Sequence, residues 1–197
     1  MTLTPSDSPG QLRLEKLLGS GNERLCWEHP GESSMCVKTV RPGVIGRRQN
    51  DIDFDYYRFL VGRGIAGSRI PKVFGWVDTD HGKGLAVEKI SGPDGGQPLS
   101  LPRVLEEGRL SVEQVTRLID ETFDWFVERA VVISDCNPEH LLLRQDEAGR
   151  DILVVVDGLG GRHIDFRYKL RKWLPWYARR KTRQTRARLF RMMQLPR

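Results

Sequence analysis

Cysteine is scarce and scattered: Cys26, Cys36 and Cys136 are the only three, and no two of them form a C-x-x-C pair. That spacing excludes both a disulfide framework and a cysteine zinc site. It leaves them as small buried side chains of a reducing compartment. Long apolar runs are missing as well, so no stretch reads as a membrane-spanning helix. Residues 1–10 are polar, with Pro and Ser, and lack the apolar segment of a signal peptide. Residues 1–11 are therefore expected to form a flexible N-terminus, and the chain is expected to be cytoplasmic. There is no internal repeat. Acid nearly vanishes towards the end. Residues 162–197 hold 13 Lys/Arg against one acid, Asp165, so the high isoelectric point belongs to this tail and the body is mildly acidic.

What is present is a pair of carboxylates in an order that phosphate chemistry uses. Asp135 stands in Ile133-Ser134-Asp135-Cys136-Asn137-Pro138-Glu139-His140, followed by the apolar run Leu141-Leu142-Leu143. A polar turn leads to a second apolar run, Ile152 to Val156, which ends on Asp157-Gly158. An acid, four residues, a ligand position and a strand, then a second strand ending on an acid, is the order of the catalytic loop and metal segment of protein kinases. One carboxylate would accept the proton of a substrate hydroxyl. The other would hold Mg²⁺ on the nucleotide phosphates. The same tract also suits an ordinary β-hairpin, because Asp favours turns. The upstream residues add weight to the first reading.

Leu12–Leu18 alternates and reads as a first strand. Gly19-Ser20-Gly21 follows, then strands at Leu25–Glu28 and Met35–Val40. Gly19 and Gly21 would let backbone approach phosphate oxygens, although Arg24 replaces the third glycine of G-x-G-x-x-G and a plain hairpin turn also explains them. Lys38 lies inside an apolar strand. An unpaired buried ammonium is costly, so it should face a cleft or a carboxylate. Residues 49–61 read as an amphipathic helix, and Asp53 on it is the expected partner of Lys38. Strands at Lys72–Val77 and Leu85–Ile90 follow, with backbone groups around Glu88 and Ile90 expected to face an adenine ring. Ser91–Pro98 is a flexible connector. Ser111 and Gln114 form a capping box for a helix running to about Arg129.

These stretches resemble the YrbL family, the PhoP regulatory network proteins. The resemblance rests on Leu17–Pro30, the Tyr56-Tyr57 helix, the Val77–Gly84 turn, Asn137-Pro138-Glu139, Asp157-Gly158-Leu159-Gly160 and the Trp- and Arg-rich tail. It implies a compact, divergent kinase-like α+β fold. A small N-lobe of five antiparallel strands and one helix would span residues 12–91. A hinge would follow at 92–99, then a truncated, mainly helical C-lobe at 100–161 and a basic helical segment at 162–197. By position, Lys38 becomes the nucleotide lysine, Asp53 its helix acid, Asp135 the loop acid and Asp157 the metal acid. ATP and Mg²⁺ are the implied cofactors.

Two departures matter. His140 stands where kinases place Asn, and neutral imidazole is a poorer partner than a carbonyl oxygen for Mg²⁺; it would favour Mn²⁺ modestly. Asp157-Gly158-Leu159 keeps the acid of D-F-G but lacks its aromatic. The expected activity is phosphoryl transfer from ATP to a hydroxyl acceptor that the sequence does not identify. The alternative is a nucleotide-binding regulator that acts through the basic tail. In the tail, Pro175 should separate two helical segments. Its aromatics are expected to pack on the body and its arginines to face solvent. Contact with an anionic lipid or the inner membrane surface is the competing reading. Nucleic acid is not expected as a partner.

Overall fold

The computed structural model describes residues 10–45, 48–65, 67–161 and 163–195. Most of the expected flexible N-terminus lies outside the described residues. The chain is α+β and forms two compact units, one of residues 1–50 with 72–89, the other of 51–71 with 90–197.

The first unit is a five-stranded antiparallel sheet of β1 (Leu17–Ser20), β2 (Arg24–Glu28), β3 (Met35–Val40), β4 (Val73–Thr79) and β5 (Gly82–Glu88), in the order β1-β2-β3-β5-β4. Direct pairing puts opposite residues on the same face. Lys38 lies opposite Cys26 and Leu85, and Cys36 lies opposite Glu28 and Val87. Lys38 therefore shares its face with Cys26, Cys36, Leu85 and Val87. Val37 and Thr39 occupy the other face and are fully buried. The first strand is shorter than the alternation suggests. Leu12 makes only a parallel bridge to Thr79, and β1 begins at Leu17. The apolar period at Leu12 and Leu14 serves instead to seat this segment beside the end of β4. The Leu12 N–H donates to the Asp78 carbonyl, and the Leu14 N–H donates to the Asp80 carboxylate.

Helix α1 (Gln49–Gly62) starts in the first unit, and its remaining turns belong to the second. Ile52, Tyr56 and Leu60 recur at helical spacing and are buried in the second unit's core. This unit also contains α2 (Leu101–Glu106), α3 (Val112–Glu128), a 3₁₀ turn at Pro138–His140, the hairpin β6 (Leu141–Gln145) and β7 (Asp151–Val155), α4 (Phe166–Trp173) and α5 (Pro175–Met193). The capping box of α3 forms as expected, with Ser111 and Gln114 each bonding the other's backbone N–H. Helix α3 buries Val115, Ile119, Phe123 and Phe126 against the hairpin's Leu141, Leu153 and Val155. A buried side chain of this size contributes roughly 1.5–3 kcal/mol relative to exposure. None of the helices is long and apolar enough, over the described residues, to cross a membrane.

Pro175 does divide the tail into two helices, and Leu174 serves as the end of one and the cap of the next. The helices dock within the second unit, but only some of the tail's aromatics take part. Tyr168, Ala178, Thr182, Thr185, Leu189 and Phe190 are buried, while Phe166, Trp173 and Trp176 are 73%, 74% and 59% exposed. Small residues let α5 come close to the backbone at 131–133. Thr182 Oγ1 donates to the Val131 carbonyl (2.7 Å) and accepts from the Ile133 N–H (3.1 Å), and Thr185 Oγ1 donates to the Ile133 carbonyl (2.8 Å). Several basic side chains are paired instead of facing solvent alone. Arg186 reaches Asp120 and Asp124, and Lys172 reaches Asp55.

Candidate functional site

In the second unit, the segments carrying Asp135 and Asp157 are joined by their backbones. The His140 carbonyl accepts from the Val156 N–H (2.9 Å), the Gly158 carbonyl accepts from the Ser134 N–H (2.8 Å), and the Val132 carbonyl accepts from the Gly160 N–H (3.0 Å). Ile133 and Leu159 form an antiparallel bridge. The Asp135 N–H (3.4 Å) and Ser134 Oγ (3.1 Å) also donate to the Gly158 carbonyl. Gly158 makes this joint. Its φ is +86°, and a Cβ there would lie 1.5 Å from the Asp135 carbonyl oxygen, so no other residue fits without separating the segments. The Asp157 carboxylate is oriented by the Gly158 N–H, which donates to Oδ1 at 2.7 Å.

Cys136 reports on the charge in this region. Burial first, then the charges of Asp135 and Asp157, push its thiol up to about 12. That thiol stays protonated and inert at neutral pH. His140 follows on the 3₁₀ turn. Its N–H donates to the Asn137 carbonyl (2.8 Å), while its Nδ1 is buried without a hydrogen-bond partner among the described residues. A buried ring nitrogen left without a partner is an available ligand position.

No group of three or more His, Cys, Asp or Glu converges on a metal position among the described residues. Mg²⁺ bound with a nucleotide commonly uses only one or two protein carboxylates and completes its shell with phosphate and water. Asp157 and His140 are the donors that such a cation would use, and a nitrogen donor would favour Mn²⁺ over Mg²⁺.

The first unit carries Gly19, Gly21, Lys38 and Glu88. Gly19 lies opposite Cys26, and Gly21 closes the β1–β2 turn through its N–H to the Arg24 carbonyl. The fold needs neither glycine. Neither φ is left-handed, and nothing lies within 4 Å of a Cβ built at Gly19. Asn50 is buried and ties down the strand of Lys38. Its Nδ2 donates to the Lys38 carbonyl (2.8 Å), and its Oδ1 accepts from Arg24 (3.1 Å). Glu88 is committed to the sheet, with its N–H on the Lys72 carbonyl and its Oε2 taking the Lys72 N–H (3.0 Å).

In the second unit, Ile90 is buried, and its backbone has no hydrogen-bond partner among the described residues. Asp53 lies on α1 one turn after its start. Its neighbour Asp55 accepts from the Tyr168 hydroxyl and from Lys172 (2.8 Å). Sequence reasoning missed two contributors. Asn50 carries no signal in the chain. Arg188 reaches Asp135 only because α5 folds back across 53 residues.

Residues 11–194 match the family described as PhoP regulatory network protein YrbL. The chain belongs to the YrbL family. The YrbL proteins of Escherichia coli K12 and Shigella flexneri, both described as uncharacterized, are each 28% identical over 167 residues, covering 83% of this chain and 78% of theirs. The chain also aligns with the crystal structure of the PknI kinase domain of Mycobacterium tuberculosis, a double mutant. That alignment has 15% identity and a TM-score of 0.45, and covers 80% of this chain and 62% of that domain.

Proposed function

We propose that this YrbL-family chain has a kinase-like fold, binds ATP with Mg²⁺ or Mn²⁺, and transfers the terminal phosphate to a hydroxyl acceptor. The observation that carries this reading is the Gly158 joint, which holds the Asp135 loop and the Asp157 strand end in register. A plain hairpin gains nothing from a glycine wedged against a carbonyl, whereas a two-carboxylate site needs its acids at fixed separation.

In this reading, phosphate oxygens approach Gly19 and Gly21, where the fold has no use for the missing side chains. The Lys38 ammonium pairs with the α- and β-phosphates. The backbone of Ile90 takes the adenine edge, since the sheet already occupies that of Glu88. Asp157 and His140 hold the cation, which when bound neutralises polyphosphate charge. Asp135 orients the acceptor hydroxyl and accepts its proton as the oxygen forms its bond to phosphorus and the nucleoside diphosphate departs. Positioning and charge neutralisation supply the rate.

The test is a thermal-shift series with ATP and GTP, with Mg²⁺, Mn²⁺ or neither. Nucleotide binding to the native state raises the melting temperature in proportion to occupancy. Asp135→Ala should keep that shift and abolish incorporation of labelled phosphate into bacterial lysate. No shift with any nucleotide and metal overturns the reading. A second reading, a nucleotide-binding regulator without transfer, is favoured by His140 at the ligand position and by the guanidinium of Arg188 on Asp135. It predicts the shift without incorporation.

A further inference from the structure

Helix α4 is amphipathic in an unusual sense. At 3.6 residues per turn, Phe166, Leu170 and Trp173 fall on one face, and Tyr168, Arg171 and Lys172 fall on the other. The second face is the one that docks. Tyr168 is buried, the Lys172 ammonium bonds Asp55, and Arg171 donates to the Gly160 carbonyl. The apolar face therefore points away from the body, with Phe166 73% and Trp173 74% exposed. Ile164, just before the helix, is also exposed. Arg167 and Lys169 flank this face on either side, both exposed and without a carboxylate partner among the described residues.

Helix α5 continues the pattern. Ala178, Thr182, Thr185 and Leu189 form its docked stripe. On the opposite side, Trp176, Arg180, Arg183 and Arg191 follow one another at helical spacing, all exposed. The basic residues that pair with the body, Arg179, Arg186 and Arg188, lie off this stripe. Trp173 and Trp176 flank the turn at Pro175, and Trp173 is steadied by an edge contact with Phe59 at 6.4 Å.

We propose that the outer face of the α4–α5 elbow docks on an anionic lipid surface. Phe166, Trp173 and Trp176 would enter the headgroup region, and Arg167, Lys169, Arg180 and Arg183 would pair with lipid phosphates. Aromatics left largely in water, bordered by cations without a carboxylate partner among the described residues, match the composition of helices that lie in a membrane interface. Tryptophan prefers that level because its ring is apolar and its N–H is polar. The stripe carries no acid, so its charge complements an anionic leaflet. Nucleic acid is the less suitable occupant, because Ile164 and Phe166 extend the apolar face beyond the basic groove such a partner tracks. This proposal is independent of phosphoryl transfer.

The experiment is co-sedimentation of the full chain with phosphatidylcholine vesicles and with an equal mixture of phosphatidylcholine and phosphatidylglycerol. Binding is expected only to the mixture, with a blue shift of tryptophan emission. At roughly 1 kcal/mol for each basic residue near an anionic surface, Arg180→Gln with Arg183→Gln should lower partitioning about 30-fold. Trp173→Ser with Trp176→Ser should abolish the emission shift and weaken binding. Circular dichroism and melting of each variant establish that it folds. Equal sedimentation with both vesicle types, or none with either, overturns the proposal. So does binding that survives both double substitutions. Preferential binding of duplex DNA or RNA over the mixed vesicles, unaffected by the tryptophan substitutions, assigns the face to nucleic acid and overturns it too.

Discussion

Arg188 of α5 places its Nη1 3.3 Å from Asp135 Oδ1, joining the basic tail to the acid on which phosphoryl transfer would depend. The two side chains are 58% and 28% exposed, so the contact is partly solvated. A pair of this kind contributes at most about 1 kcal/mol to stability. Its value lies in fixing the orientation of the carboxylate. Arg188→Gln is therefore expected to shift the urea midpoint only slightly while lowering label incorporation. If incorporation rises instead, the guanidinium screens Asp135, and the regulator reading gains.

Gly158 and Gly19 make opposite predictions. At Gly158, an added methyl group meets the Asp135 carbonyl at 1.5 Å with φ at +86°. Gly158→Ala is expected to cost several kcal/mol, about 3 or more, and to remove the nucleotide-dependent thermal shift. At Gly19, a Cβ meets nothing within 4 Å. Gly19→Ala is expected to change stability by no more than about 0.5 kcal/mol. It should weaken the nucleotide shift only if phosphate oxygens approach that backbone. Urea denaturation and thermal shift on the two variants check both halves. A Gly158→Ala protein as stable as the parent would remove the joint from the account.

Strand β3, helix α3 and the β6–β7 hairpin were legible because each carries a strong local period and local punctuation: alternation at Met35–Val40, a capping box at Ser111 and Gln114, and a polar turn between apolar runs. Leu12–Leu18 misled because alternation marks burial on one side without naming the partner, and Leu12 found β4. Asp135 and Asp157 were legible as types at a spacing. The Gly158 joint was not, because the approach of Gly158 to the Asp135 carbonyl is a product of tertiary structure. Arg188 and Asn50 stayed hidden for the same reason. In the tail, composition identified the aromatics and arginines but not the direction they face. Small residues decided that, since Ala178, Thr182 and Thr185 allow α5 to approach and turn Trp176 outward.

Cys26 and Cys36 lie on paired strands and share one face of the sheet. The neighbouring Cys36 thiol first, helped by the charge of Lys38 and opposed by burial, lowers the Cys26 thiol to about 7, while Cys36 is pushed up. Thiolate is the nucleophile. Iodoacetamide is therefore expected to modify Cys26 first in the native chain, with a midpoint close to neutral pH. Cys36 and Cys136 should react only after unfolding. Because Cys26 lies opposite Lys38, ATP with Mg²⁺ should protect it under the proposed function. Peptide mass spectrometry across a pH series reads out all three thiols, and equal labelling of Cys26 and Cys136 in the native state would contradict the assignment.

Glu28 ties together three parts of the sheet unit. Its carboxylate accepts from Lys89, which follows β5, and from Lys16, which precedes β1, the latter at 2.9 Å. The Lys89 bond first, then Lys16, lowers its pKa from 4.5 to about 2. A carboxyl group with a depressed folded-state pKa adds stability that is fully present above its unfolded pKa. That contribution is lost as pH falls through the folded value. The stability gap between the parent and Glu28→Gln should therefore be constant above about pH 5 and close progressively towards about pH 2. Salt should reduce the gap at neutral pH, because the Lys16 side of the arrangement is exposed. Urea titrations of both proteins at successive pH values measure this directly. A gap that stays unchanged down to the lowest pH would show that the carboxylate's charge is not what joins Lys16 and Lys89 to β2.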